Sequence, residues 1–301
     1  MSNPRRVFEA PSGLRVRFVR REDAMSAEEL LREGRVAEAL SALQDRVRSE
    51  PADPKLRVFL FQILCVLGQW DRAITQLNVA AELDPATLLM AQTCRPALNC
   101  EALRADVFAG KRTPLIFGQP PEWIGSLLEA NRLLAQGQHE AAGQLRERAF
   151  ENAPATAGAI DGAAFEWIAD ADMRLGPVLE AIIQGKYYWV PLERIHQIRM
   201  EPPSDLRDLV WAPANVQWTN GGEAVALIPA RYPGSEASDD EAILMARMTT
   251  WEQGEAGVCT GLGQRVLATD AGEYPLLEIK SIVFDNGSEP SAAPESGAGD
   301  G

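Results

Sequence analysis

Two histidines, His139 and His196, and four cysteines, Cys65, Cys94, Cys100 and Cys259, bound the chemistry available to this 301-residue chain. A nucleophilic thiol needs a base beside it. Cys259 and His196 fall in the same half of the chain and could together make a hydrolase-like site. No third residue in the sequence marks itself as the group that would orient the imidazole. His139 stands beside Glu140 at the start of a helical stretch, a solvated position. Metal ligation asks for three or four convergent ligands, and no two cysteines form a CxxC pair, so no metal centre is expected. Gly261-Leu262-Gly263 lacks a third spaced glycine, and GxxxxGK[ST] does not occur. No nucleotide or other cofactor is implied. Asp205 with Asp208, or Asp239-Asp240-Glu241, could do general acid–base work, but such acid runs more often form solvated loops.

A different chemistry, that of protein contact, suits Arg231-Tyr232-Pro233 together with Trp211 and Trp218. Arginine and large aromatics anchor interfaces. The two tryptophans could equally fill the core of a small domain, which is the favoured reading. Arg231 is the better contact candidate, because a buried arginine needs a partner.

Composition narrows the class further. The chain is 46% apolar and 24% charged, with a net charge of −14. This is a globular composition, and the length allows two domains. Outside an arm at residues 1–24 that holds six arginines, no basic stripe exists. Counterion release needs clustered Lys and Arg, so nucleic acid is not an expected partner. No apolar run reaches the ~18 residues of a membrane span. Unpaired cysteines suit a reducing compartment, so a cytoplasmic location is expected.

The elements that would carry any contact surface repeat along the chain. Gly34, Ala39, Leu43 and Pro51 recur 34 residues later as Gly68, Ala73, Leu77 and Pro85. Gly137, Ala142, Ala149 and Pro154 give a third copy after an insertion. A period of 34 is that of the tetratricopeptide repeat, a pair of antiparallel helices. The glycine takes the turn between helices, the alanine lets them cross closely, and the proline ends the second helix. Helices are expected at 26–33, 36–48, 54–67, 70–83, 121–136, 138–152 and 161–174. Residues 86–110 also read as helical, with Pro96 expected to kink or break them. On the first helix of two units, Lys55, Val58, Gln62 and Val66, and Ile124, Leu127, Asn131 and Leu134, would line the concave face. They would either receive an amphipathic helix or pack on a neighbouring part of the chain.

After Gly176 the pattern changes to short strands, including Tyr187 to Val190, Leu206 to Trp211, Ala214 to Thr219, Glu223 to Pro229 and Ala242 to Trp251. Asn220-Gly221-Gly222 marks a hairpin. A small barrel or sandwich is expected. The whole reads as an α+β chain: a flexible extension over 1–24, a helical repeat domain over 25–175, a β-rich domain over 176–285, and a disordered tail over 286–301.

The stretches GKYYWVPLERI (185–195), LRDLVWAP (206–213), NGGEAVALIPARYP (220–233) and MTTW (248–251), with AEELLREGRVAEAL upstream, resemble the ImpE family, also called TagJ or SciE. That resemblance implies an accessory component of a bacterial type VI secretion system without catalysis of its own. It implies binding to a helix near the N-terminus of the small sheath subunit, TssB-like, and a link to the ClpV-type ATPase that disassembles contracted sheaths. Two alternatives stay open: a hydrolase using His196 and Cys259, and a repeat protein that assembles with itself.

Overall fold

The structure, a computed structural model, describes residues 25–286. The expected extension over 1–24 lies outside the described residues, as does the expected tail apart from Asn286.

Seven helices come first: α1 (Ala27–Arg32), α2 (Val36–Ser49), α3 (Pro54–Val66), α4 (Trp70–Leu83), α5 (Leu88–Phe108), α6 (Glu122–Ala135) and α7 (His139–Asn152). Their ends follow local chemistry. Ser26 and Glu29 form a reciprocal capping box at the start of α1. Asp53 caps α3 ahead of Pro54 at the first helical position. The three turn glycines adopt left-handed φ values of 85° (Gly34), 63° (Gly68) and 74° (Gly137). Each turn closes with one pattern. In the second unit Gly68 donates to the Cys65 carbonyl and Gln69 to that of Leu64. This pair of bonds satisfies the last carbonyls of a helix and requires a residue that tolerates positive φ. Ala39, Ala73 and Ala142, at the helix crossings, are fully buried.

The insertion forms α5 as one helix running through Pro96. Of the two outcomes expected at Pro96, a kink or a break, the break does not occur. Instead, the proline packs so closely on Gly185 that a Cβ there would sit 2.7 Å from it. Tertiary packing thus offsets the lost ladder bond.

The strands build an open sheet rather than a barrel. β1 (Leu115–Ile116) lies at one edge, parallel to β6 (Lys186–Pro191). The order continues through β5 (Val178–Ile183), β9 (Glu223–Pro229), β8 (Trp211–Trp218), β7 (Ile195–Met200), β14 (Ser281–Phe284), β2 (Gly158–Ile160) and β3 (Ala163–Phe165). Closure would need β1 to pair with β3, and each ends the sheet instead. Two smaller sheets flank it. One joins β10 (Thr249–Gln253) to β11 (Cys259–Gly263); the other joins β13 (Glu273–Pro275), β12 (Val266–Thr269) and β4 (Ile168–Asp170).

The helix expected over 161–174 is absent. Asp161 and Gly162, at φ 49° and 88°, form the two-residue turn of the β2–β3 hairpin, and β4 follows. Asp-Gly is a strong hairpin signal, and it overrides the weak helical spacing. Likewise Leu206–Leu209 is a 3₁₀ turn ahead of β8, and Glu241–Leu244 is a short helix, α8, ahead of β10.

Two cores result. Tyr187 and Trp189 of β6 and Val178 and Ile182 of β5 join the core of the helical array. The opposite sheet face buries Val190, Ile198, Val216 and Ile228 with Leu267 and Leu276. The helical repeats and one face of the large sheet therefore share the first of these cores, and hydrophobic burial fixes them together.

Candidate protein-binding surface

The seam between helices and sheet is built from buried charge. Glu180 of β5, fully buried, receives Arg104 of α5 through two bonds, Nε to Oε1 at 2.7 Å and Nη2 to Oε2 at 3.0 Å. Arg265 approaches the same carboxylate and also Asp170, and the Tyr187 hydroxyl donates to Glu180. Burial alone would raise the Glu180 carboxyl, but the guanidinium groups of Arg104 and Arg265 outweigh it and hold it down at about 2. For Asp170 burial wins, and its carboxyl is pushed up to about 6 against the pull of Arg265. On α5, Glu101 accepts from Trp211 Nε1 at 2.7 Å.

Arg231 belongs to this seam and not to the outer surface. It is 4% exposed. Its Nη1 donates to the Val66 carbonyl at 2.7 Å and to that of Leu244, and its Nη2 reaches the Cys65 carbonyl at 3.4 Å. Val66 ends α3, whose last carbonyls lack intrahelical partners and favour a cation. Burial pulls the guanidinium down to about 10. The sequence singled out Arg231 for partner contact; it meets a partner within its own chain. Trp211 and Trp218 are buried, as the core reading had them.

The repeat residues proposed for the concave face divide. Gln62, Val66, Ile124, Leu127 and Asn131 are buried. Gln62 Oε1 accepts from the Leu206 amide at 3.1 Å, and Asn131 Nδ2 donates to the Arg174 carbonyl at 2.7 Å. Residues from the strand-rich half thus occupy the face that a foreign helix would need. Lys55 is exposed, and Val58 and Leu134 are half-buried. Internal packing wins at this face because the strands themselves present a large apolar face to cover.

His196 and Cys259 lie in different sheets, on β7 and β11, and no hydrogen bond or ion pair joins them among the described residues. Burial, then the Asp172 charge, pushes the Cys259 thiol up, away from the thiolate that nucleophilic attack requires. No group of three or more metal-ligating side chains assembles among the described residues. No helix among them is long and apolar enough to cross a membrane.

The accessible apolar surface lies elsewhere. Leu89 at the start of α5 is 75% exposed and Val225 on β9 is 69% exposed, more than any other large apolar side chain among the described residues. Both line one groove of about 420 Å³, floored by Met90, Trp211, Pro213 and Leu227, with Arg207 and Asp208 also on its wall. Leu83 and Leu88, each more than two-fifths exposed, precede Leu89 along the chain. Sequence reasoning missed this groove. Its signal was Leu88-Leu89 at a helix start, where no core partner was assigned, and Val225 on the outward phase of a strand.

A helical repeat array sealed onto an open sheet, with an apolar groove where they meet, defines an α+β protein of the tetratricopeptide-repeat class. The tetratricopeptide repeat model matches residues 30–92, and the ImpE protein model matches residues 162–283. A Pseudomonas aeruginosa protein, type VI secretion system accessory component TagJ, is 52% identical over 262 residues, covering 87% of this chain and 92% of its own. The chain belongs to the ImpE family. The fold also matches an X-ray crystal structure of a Vibrio parahaemolyticus protein, with a TM-score of 0.77 and 24% identity over 86% of this chain and 97% of the other.

Proposed function

We propose that this chain is a cytoplasmic accessory adaptor of a type VI secretion system that binds an N-terminal helix of the small, TssB-like sheath subunit, and through that contact is linked to sheath disassembly by a ClpV-type ATPase. The 52% identity to TagJ over most of both chains carries the reading. The surface geometry favours a helix as the ligand. An amphipathic helix presents apolar side chains at three- and four-residue spacing and needs an apolar trough with polar rims. The Leu89–Val225 groove offers that trough, while on the concave face first expected to do so Gln62 and Asn131 are buried against turns of the chain's own strand-rich half. Lys55, Val58 and Leu134 stay reachable but form no comparable apolar trough.

Co-purification tests the reading. The full chain, immobilised, should retain the small sheath subunit of its own secretion cluster and lose it when that subunit's N-terminal helix is deleted. Equal retention of the helix-deleted subunit would overturn the assignment of the helix as ligand.

A further inference from the structure

The strand β10 ends its sheet, with no further strand beside it among the described residues. Gln264 donates to the Met248 carbonyl at 3.0 Å, and Gly254 donates to that of Val258 at 2.8 Å. These bonds continue the β10–β11 register, in which Thr250 faces Leu262 and Glu252 faces Thr260. In an antiparallel ladder the bonded positions alternate. Thr250 and Glu252 therefore spend their main-chain groups on β11, and Thr249, Trp251 and Gln253 turn theirs outward. No described residue bonds these outward groups. Of the other strands that end a sheet, β1, β3, β4 and β13 have two or three residues, and β11, with five like β10, has its outer main-chain groups bonded by Met173, Tyr232, Asp172 and Ser235.

Natural edges are usually blunted by brevity, proline, lysine or a bulge. β10 carries none of these; its one charge is Glu252. Side chains alternate across it. On one face the Trp251 ring, 38% exposed, leans over Gly261 toward Tyr232, with ring centroids 5.6 Å apart. On the other face Glu252 is exposed with no described partner. From 236 to 257 the chain holds six acidic side chains and one basic, Arg247, which is engaged by the carbonyls of Leu31 and Arg32.

We propose that the β10 edge receives an extended segment of a partner protein as an added strand, one that alternates apolar residues over Trp251 with basic residues beside Glu252. The outward amides and carbonyls of Thr249, Trp251 and Gln253 supply directional bonds, and the alternation supplies selectivity. Glu252, on its own face of the strand, disfavours an acidic strand and favours a basic one. This surface uses none of the residues of the Leu89–Val225 groove, so it stands or falls separately from the helix-docking reading.

Hydrogen exchange on the full chain tests it, with three end-blocked octapeptides as probes: alternating valine and arginine, alternating valine and glutamate, and four valines followed by four arginines. The alternating valine–arginine peptide should slow exchange at the outward amides of Thr249, Trp251 and Gln253 by about tenfold or more at saturation, as strand pairing protects amides. The other two should not. Gln253→Pro removes an outward donor without touching the β11 ladder and should abolish the protection. Three results would overturn the proposal. One is no protection by the alternating basic peptide. Another is equal protection by either control. The third is protection of these outward amides in the chain alone, which would mean that the edge is already taken, by the chain itself or by a second copy.

Discussion

Arg231 closes the end of α3: its Nη1 stands 2.7 Å from the Val66 carbonyl oxygen, across 165 residues of sequence. One side chain from the strand-rich half thereby satisfies the Val66 carbonyl, which the repeat leaves open, and Arg104 in turn donates to the Arg231 carbonyl at 2.7 Å. The two halves hold each other through reciprocal bonds in a buried seam.

Arg231→Ala should therefore destabilise the whole chain by about 3 kcal/mol, because it strands buried carbonyls as well as losing a charge-assisted bond. Arg231→Lys should recover less than half of this, since one ammonium cannot reach Val66, Leu244 and Cys65 with the geometry of a fork. Urea unfolding, followed by tryptophan fluorescence and by helix circular dichroism, should show one shared transition that moves to lower urea in both variants.

The buried Glu180 gives the fold an acid limb. Its carboxyl is held at about 2 in the folded chain, below the ordinary value near 4.5. The unfolded chain binds the proton first as pH falls, so this stabilisation is complete above pH 4.5 and lost progressively toward pH 2. Asp170 acts in the opposite sense. Its carboxyl sits at about 6, so the folded chain binds that proton more readily, and its contribution declines as pH rises from about 4 to 6. Thermal melts from pH 7 to pH 2.5 should fall most steeply below pH 4.5. Glu180→Gln should flatten that limb while lowering stability at pH 7 by about 3 kcal/mol or more, since it leaves Arg104 and Arg265 underpaired.

The repeat turn can be tested at Gly68. A Cβ there meets Glu236 at 2.7 Å, on a backbone with φ of 63°. Gly68→Ala should cost about 1–2 kcal/mol, part from the left-handed backbone and part from the displaced Glu236. Gly137→Ala, where the nearest atom is 4.0 Å away, should cost the backbone part alone. The difference between the two melting shifts isolates the contact with the strand-rich half.

The repeat was legible because helix pairing depends on a few positions at fixed spacing. Gly34, Gly68 and Ala73 are chosen by local sterics, and no distant residue changes that need. The hairpin at Asn220-Gly221-Gly222 was legible for the same reason, and Asp161-Gly162 would have been had its turn chemistry outweighed a faint helical period. The concave face was not legible. The sequence shows that Gln62, Ile124 and Asn131 share a face with apolar neighbours, but an apolar face does not name its occupant. Only the pairing order of distant strands places Leu206 against Gln62 and Arg174 against Asn131. Arg231 was marked for contact with a partner protein, and the structure instead buries it against the end of α3 within its own chain. The Leu89–Val225 groove joins residues 136 positions apart, which no local pattern could bring together.

The adaptor account meets its most direct test in a calorimetric titration of the full chain with a peptide spanning the N-terminal helix of the cognate small sheath subunit. The wild-type chain should bind with a dissociation constant on the order of micromolar, and Leu89→Glu with Val225→Glu should weaken it by about tenfold or more while leaving the melting temperature unchanged. Binding by that double variant at wild-type strength, or no binding by the wild-type chain, would contradict the account.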